Sequence, residues 1–176
     1  ARKEKGSHFK ICYLGTMKVN QFSAALFDGI NELCQEIPGF RDKLQVEFYG
    51  TTVLSTQDYI KEIGLDDVIS IHEFVPRKEA VDLLLNSEAL LLIIGKSSSE
   101  KKLYSTKLFE YVSTGNAVLG LGPVDGVAAD VLQHTKAGKM HDRADKQGIK
   151  ETLRSYFEKW ERGEELELAD KVAIEE

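Results

Sequence analysis

Apolar, strand-like runs alternating with amphipathic helical patterns predict an α/β chain. The expected fold is Rossmann-like: a doubly wound, mostly parallel sheet of about six strands with helices on both faces. Three observations carry this expectation. Apolar runs recur at 9–14, 44–49, 68–74, 89–94 and 117–121. The first, fourth and fifth are almost wholly apolar, as strands covered on both faces must be. The length, 176 residues, suits one domain of ordinary size that buries its own core.

The elements follow in order. After the first run, residues 22–37 place apolar side chains at 22, 26, 27, 30, 33, 34 and 37, a stripe of 3.6-residue period. Shorter helices are expected at 56–63, 77–86, 105–113 and 127–133, and a last one from about residue 145 to 160. Pro76 sits where a first helical turn begins, and Gly64 and Gly115 sit where left-handed caps end helices. Crossovers between parallel strands should be right-handed. One long connection remains, 95–104, rich in Ser and Lys. It leaves the carboxyl end of a buried strand, where open α/β sheets bind ligands.

Composition narrows the function. The longest apolar run, 89–94, is six residues, far below the ~18–20 that span a bilayer. The two cysteines, Cys12 and Cys34, fall in regular structure and read as buried reduced thiols of a cytosolic protein. The net charge is −6, with −5 of it in residues 158–176. No basic face for nucleic acid exists. One segment departs from this balance. Residues 95–107 carry Lys96, Lys101, Lys102 and Lys107 against Glu100, either an anion site or a solvated lysine-rich loop.

Several familiar motifs fail. Gly95-Lys96-Ser97 lacks the glycine five residues earlier that a phosphate-cradling P-loop needs, since position 90 is Leu. Gly120-x-Gly122 continues into Pro123 and Asp125, a turn rather than a dinucleotide fingerprint. His8, His72, His134 and His141 have no zinc spacing with the cysteines. No Gly-x-Ser-x-Gly elbow supports a hydrolase triad.

One stretch survives: Tyr104-Ser-Thr-Lys-Leu-Phe-Glu-Tyr-Val-Ser-Thr-Gly-Asn-Ala-Val-Leu119. It reads as loop, helix, tight turn and strand. A helix starting near Ser105 and Thr106 presents free N–H groups and a positive dipole end to the loop mouth, an anion site suited to a diphosphate. Lys107 adds a full charge. Thr106, Lys107 and Glu110 share one face, and Leu108, Phe109 and Val112 supply the buried one. A carboxylate about 6 Å further along the axis can accept two ribose hydroxyls. The plain alternative is a capped helix with a surface Lys–Glu pair.

Here the sequence resembles group 1 glycosyltransferases of GT-B fold. Tyr-x-Thr-Lys-Leu-Phe-Glu-Tyr-x-x-x-Gly-x-x-Val looks like their donor-site segment. Tyr13-Leu-Gly-Thr16, Phe48-Tyr-Gly50, Gly64-Leu-x-x-x-Val68, His72-Glu-Phe-Val-Pro76 and Ser87-Glu-Ala89 agree in order. The resemblance covers about residues 9–160 and identifies the chain with the C-terminal, nucleotide-sugar-binding domain. It divides the chain into a tag or interdomain linker at 1–8, the Rossmann-like donor-binding domain at 9–162, and an acidic tail at 163–176. That tail is the truncated end of a longer chain, free to dock elsewhere.

The resemblance implies a retaining transfer of sugar from a nucleotide-diphosphate sugar to an acceptor, in surface polysaccharide or glycan synthesis. No metal and no cofactor is implied beyond the donor substrate. Glu110 would bind the ribose, N–H groups near Ser105, Thr106 and Lys107 the diphosphate, and the backbone near Phe74 and Val75 the base. Gly15 would let the first loop, with Thr16, approach the phosphates. The family pattern has an acid where Lys102 stands, an Arg at Thr16 and a Lys at Gln21, so Lys18 and Lys107 are expected to take the catalytic role of stabilising the leaving group. The implied partner is an N-terminal domain of the same full-length chain, without which the isolated domain should be inactive. The implied location is cytoplasmic, with the missing domain as the route to the inner membrane face. Competing readings are a catalytically silent sugar-nucleotide-binding or scaffold domain, a sugar-nucleotide epimerase of similar fold, and an unrelated α/β module.

Overall fold

The computed structural model describes residues 4–95, 106–167 and 169–175. Its centre is a six-stranded sheet in which every pairing is parallel: β1 (Phe9–Leu14), β2 (Leu44–Tyr49), β3 (Ile69–His72), β4 (Ala89–Ile93), β5 (Ala117–Leu121) and β6 (Gly138–His141). The strand order is β3-β2-β1-β4-β5-β6. The chain builds outward from β1 to β3, then returns to lay β4 against the other side of β1. This reversal is the switch point, and the crevice beyond the carboxyl ends of β1 and β4 is where such sheets take ligands.

The α-helices among the described residues are α1 (Ala24–Glu36), α2 (Phe40–Lys43), α3 (Leu54–Glu62), α4 (Arg77–Leu85), α5 (Thr106–Ser113), α6 (Val127–Thr135), α7 (Lys146–Glu161) and α8 (Lys171–Glu175). Helix α1 begins two residues later than the stripe suggests, because the Ser23 hydroxyl accepts the Leu26 N–H and caps it. Phe22 stays outside the helix yet stacks on Phe27 at 5.9 Å. Pro76 is the residue before α4 rather than within its first turn. Gly64 (φ +73) and Gly115 (φ +74) adopt the left-handed caps expected of them. β6 was not among the apolar runs. Its sequence, Gly-Lys-Met-His, buries only Met140 and His141, so the pattern is too short to read.

The pleat divides the core. On one face Phe9, Ile11, Tyr13, Val46 and Phe48 pack against α1 and α7, with Phe40 and Phe157 rings 4.8 Å apart in an edge contact. On the other, Cys12, Leu90, Leu92 and Val118 pack against Leu108, Tyr111, Val112 and Leu132. Phe109, expected on the buried face of α5, is 48% exposed, and Tyr111 takes its place. Cys12 is buried, which pushes its thiol up to about 12; Cys34 is only half-buried.

The acidic tail packs on this domain. Leu166 joins the main core, Tyr156 donates to the Glu167 carboxylate at 2.6 Å, and the Asp170 N–H bonds the Thr135 carbonyl at 2.8 Å. Among the described residues no helix is long and apolar enough to cross a membrane.

Helices α1 and α7 are also laced by charge. Lys150 bonds both Glu32 (2.7 Å) and Glu36 (2.6 Å), and Lys146 bonds Glu32 (2.6 Å). Hydrogen bonds from Lys146 and Lys150 hold the Glu32 carboxyl below its ordinary 4.5, and that from Lys150 does the same for Glu36. The stability these carboxylates contribute is present above 4.5 and is lost as pH falls through their lowered values. Lys150, held above 10.5 by the same bonds, contributes below that pH and loses its share only as pH rises through its raised value. Lys150→Met is therefore expected to lower the melting temperature at neutral pH. It should also flatten the further loss on going from about pH 5 to 3. An unchanged pH profile of melting would reject the ladder's role.

Candidate functional site

The site begins with two glycine turns at the carboxyl edge of the sheet. The chain leaves β1 at Gly15 (φ +120) and β2 at Gly50 (φ +128), both left-handed conformations that side chains resist. The turns interlock. The Gly15 N–H donates to the Tyr49 carbonyl at 2.9 Å, and the Met17 N–H to the Thr51 carbonyl at 2.8 Å. A Cβ on Gly50 would press on the Gly15 peptide, whose carbonyl carbon would lie only 2.8 Å away. This proximity holds the first loop flat at the crevice floor.

Helix α5 arrives from the far side of β4 and is pinned to the same floor. The Tyr111 hydroxyl, buried in the second core, accepts the Leu14 N–H at 3.0 Å. One turn earlier, Lys107 reaches over the first loop. A Cβ on Gly15 would sit 2.6 Å from its Nζ, so the missing side chain at position 15 makes room for the ammonium. That ammonium lies 4.6 Å from the centre of the Tyr13 ring, a cation–π contact. Burial lowers the pKa of Lys107, and the charge of Glu110 opposes the drop. Tyr13 donates to the Thr16 carbonyl at 3.1 Å, and burial pushes its hydroxyl up to about 12, so it stays neutral beneath the lysine.

These groups border a cleft of about 330 Å³. Leu14, Gly15 and Tyr49 form its floor, Phe74 and Val75 one rim, Arg77 and Ala80 of α4 a wall, and Lys107 and Glu110 of α5 the facing wall. The Arg77 guanidinium lies 3.4 Å from the Glu110 carboxylate and so bridges the two helices. An adjoining cavity of about 410 Å³ runs between α4 and α5 and shares Leu14, Arg77, Ala80 and Glu110 with the first. A separate cavity of about 270 Å³ over the ends of β4 to β6 shares no lining residue with the cleft.

The structure thus gathers Gly15, Phe74, Val75, Lys107 and Glu110 at one cleft, and Thr106 at the adjoining cavity. Phe74 is 81% exposed, an aromatic side chain at the rim. Thr16 and Lys18 are exposed on the first loop and are not among the residues lining the cleft. Lys18 is tied through its backbone N–H to Gln21 Oε1 at 2.9 Å, and Gln21 in turn donates to the Ile93 carbonyl at 3.3 Å. Ser105, Lys102 and the lysine-rich segment through Lys96 lie outside the described residues. Sequence reasoning gave no role to Arg77, Tyr13 or Tyr111. The two tyrosines stood inside the recognised segments, whereas Arg77 carried no signal, since its partner is 33 positions away on another helix.

No protein-family model and no curated relative matches this sequence. Solved structures do. HepE from Anabaena, in complex with UDP, superposes with a TM-score of 0.67 at 14% identity, over 91% of this chain and 42% of that one. The C-terminal domain of the group 1 glycosyl transferase LpcC from Francisella tularensis gives 0.69 at 11% identity, over 95% and 84%. TarM from S. aureus, in a complex containing UDP, gives 0.72 at 9% identity, over 98% and 32%. The fold is therefore the C-terminal-domain fold of GT-B group 1 glycosyltransferases. The chain spans less than half the length of HepE and less than half that of TarM.

Proposed function

We propose that this chain is the donor-binding half of a glycosyltransferase and holds a nucleotide-diphosphate sugar in the cleft between α4 and α5. The observation that carries the reading is the Lys107 ammonium lying over the side-chain-free backbone of Gly15, with Glu110 on the next turn of the same wall. A diphosphate seated on Gly15 meets a full positive charge and the N-terminal end of the α5 dipole. A ribose beside it meets a carboxylate that can accept both hydroxyls. The base then falls toward Phe74 and Val75, where an exposed ring offers a stacking face.

Transfer breaks the bond between the sugar and the terminal phosphate, and negative charge grows on the departing oxygen. Fixed positive groups at that point lower the barrier because they bind the transition state more tightly than the ground state. We assign this task to Lys107, with Lys18, on the neighbouring loop, as the second candidate. In this reading the chain's own cations do the work, with no metal. The transfer proceeds with retention and serves polysaccharide or glycan assembly on the cytoplasmic side. An N-terminal domain of the full-length chain supplies the acceptor half. HepE and TarM were solved with UDP, which makes UDP the first donor nucleotide to try.

A thermal-shift titration with UDP, GDP, ADP and CMP tests the reading. Ligand at 100 times its dissociation constant adds about 2.7 kcal/mol, or roughly 5–10 °C for a domain of this size. One diphosphate should produce that shift, and Glu110→Ala should remove most of it. No shift with any nucleotide would sink the assignment.

A further inference from the structure

Arg77 stands in the cleft on unusual terms. Its side chain is 86% exposed, and among the described residues it pairs with Glu110, itself 40% exposed. Such pairs contribute about 0–1 kcal/mol, so the bond is easily exchanged. It lines both the 330 Å³ cleft and the 410 Å³ cavity, at the point where they join.

The charge balance sharpens the point. Among the described residues that line the cleft, the charged ones are Arg77, Lys107 and Glu110. Lys107 and Glu110 cancel. A nucleotide-diphosphate sugar carries a negative charge on each phosphate, so without Arg77 a doubly charged anion would enter a neutral cleft. A guanidinium also presents a planar fork of donors that fits a phosphate edge, which a lone ammonium does not.

We infer that Arg77 is a nucleotide-binding residue of this chain: parked on Glu110 while the cleft is empty, it moves onto the phosphates of the bound nucleotide and leaves the Glu110 carboxylate free for the ribose. The inference rests on the nucleotide-binding reading above. Two helices contribute to it. Helix α5 supplies the half-buried cation and the carboxylate, and α4 supplies an exposed cation that neutralises that carboxylate until the ligand replaces it. The exchange keeps Glu110 paired in both states, so no charge is left without a partner in the cleft.

The test is calorimetric titration of the 176-residue chain with UDP at low and high salt, using wild type, Arg77→Gln and Arg77→Lys. Arg77→Gln is expected to weaken UDP about tenfold at ~50 mM salt and by much less at ~500 mM, because a charge-based contribution is screened. Arg77→Lys should bind UDP more tightly than Arg77→Gln but more weakly than wild type, since it keeps the charge and loses the fork of donors. Melting of the unliganded variants should match wild type, since the pair is exposed. Arg77→Gln binding UDP within twofold of wild type at both salts would overturn the inference, as would a loss that salt does not change. If wild type binds none of UDP, GDP, ADP and CMP, the nucleotide reading itself falls and the role of Arg77 falls with it. Wild-type binding with an indifferent Arg77 removes only the inference.

Discussion

Lys107→Met is expected to weaken nucleotide-diphosphate binding by about a hundredfold, or ~3 kcal/mol, while leaving the fold at least as stable as before. Methionine keeps most of the length and apolar stem of the lysine and removes its charge. In the empty protein that charge is held at a cost. Burial disfavours the ammonium and lowers its pKa, with Glu110 returning part of the loss and the Tyr13 ring lying beneath it. A lysine whose folded pKa lies below its unfolded value of 10.5 destabilises the fold while protonated, and the penalty is relieved as pH rises through the lowered value. Methionine relieves it at every pH, so the melting temperature should be unchanged or higher.

The bound state reverses the argument. A diphosphate on Gly15 gives the ammonium an anionic partner and draws its pKa back up, so binding takes up protons wherever the empty-state lysine has begun to lose its own. Affinity for UDP should therefore fall as pH rises through the lowered pKa of Lys107, and that decline should vanish in Lys107→Met. Calorimetric titrations between about pH 6 and 10, beside melting curves of both proteins, measure all three effects. Lys107→Met with wild-type affinity would remove Lys107 from the site. A folded variant with a much lower melting temperature would show that the charge supports the fold instead. The cost of holding a half-buried cation in the cleft is the kind of strain that function, not stability, maintains.

The sequence made the sheet legible where its strands are continuous apolar runs. β4 and β5 are buried along their whole length, and β1 at all positions but Lys10 and the half-buried Leu14, and their apolar residues state this without help from context. The edges were harder. β3, expected over 68–74, is only Ile69–His72, and three of its four residues are exposed, so hydrophobic pattern says little about where it ends. β6 gave no apolar run at all. Inside the site the same division holds. Lys107 and Glu110 were legible because helical spacing alone puts them on one wall. Arg77 was not, because its contact crosses from α4 to α5 and no local pattern encodes it. The tail shows the limit of composition: its acidity suggested an end free to dock elsewhere, yet Leu166 and the Asp170 N–H bind it to the core and to α6.

Gly50→Ala should do more damage than any other single methyl group at the site, about 3 kcal/mol of stability together with loss of nucleotide binding. Two costs combine. At φ +128 the backbone adopts a conformation that L side chains rarely enter. The added Cβ would also meet the Gly15 carbonyl group, with its carbon at 2.8 Å, and backbone cannot rotate away as a flexible side chain can. Relief requires the first loop to lift from the β2 turn, breaking the bonds from Gly15 to Tyr49 and from Met17 to Thr51. That movement carries Gly15 away from beneath Lys107, so the phosphate seat is lost even in molecules that remain folded. Gly64→Ala separates the two costs. Gly64 has φ +73 with nothing within 4 Å of its would-be Cβ, so it bears the conformational penalty alone, about 1 kcal/mol, and sits at the end of α3. Urea unfolding and UDP titration of both variants should show Gly64→Ala modestly destabilised with intact binding and Gly50→Ala impaired in both. Equal stability losses and equal affinities in the two variants would mean that the glycine contact at the mouth of β1 and β2 does not position the site.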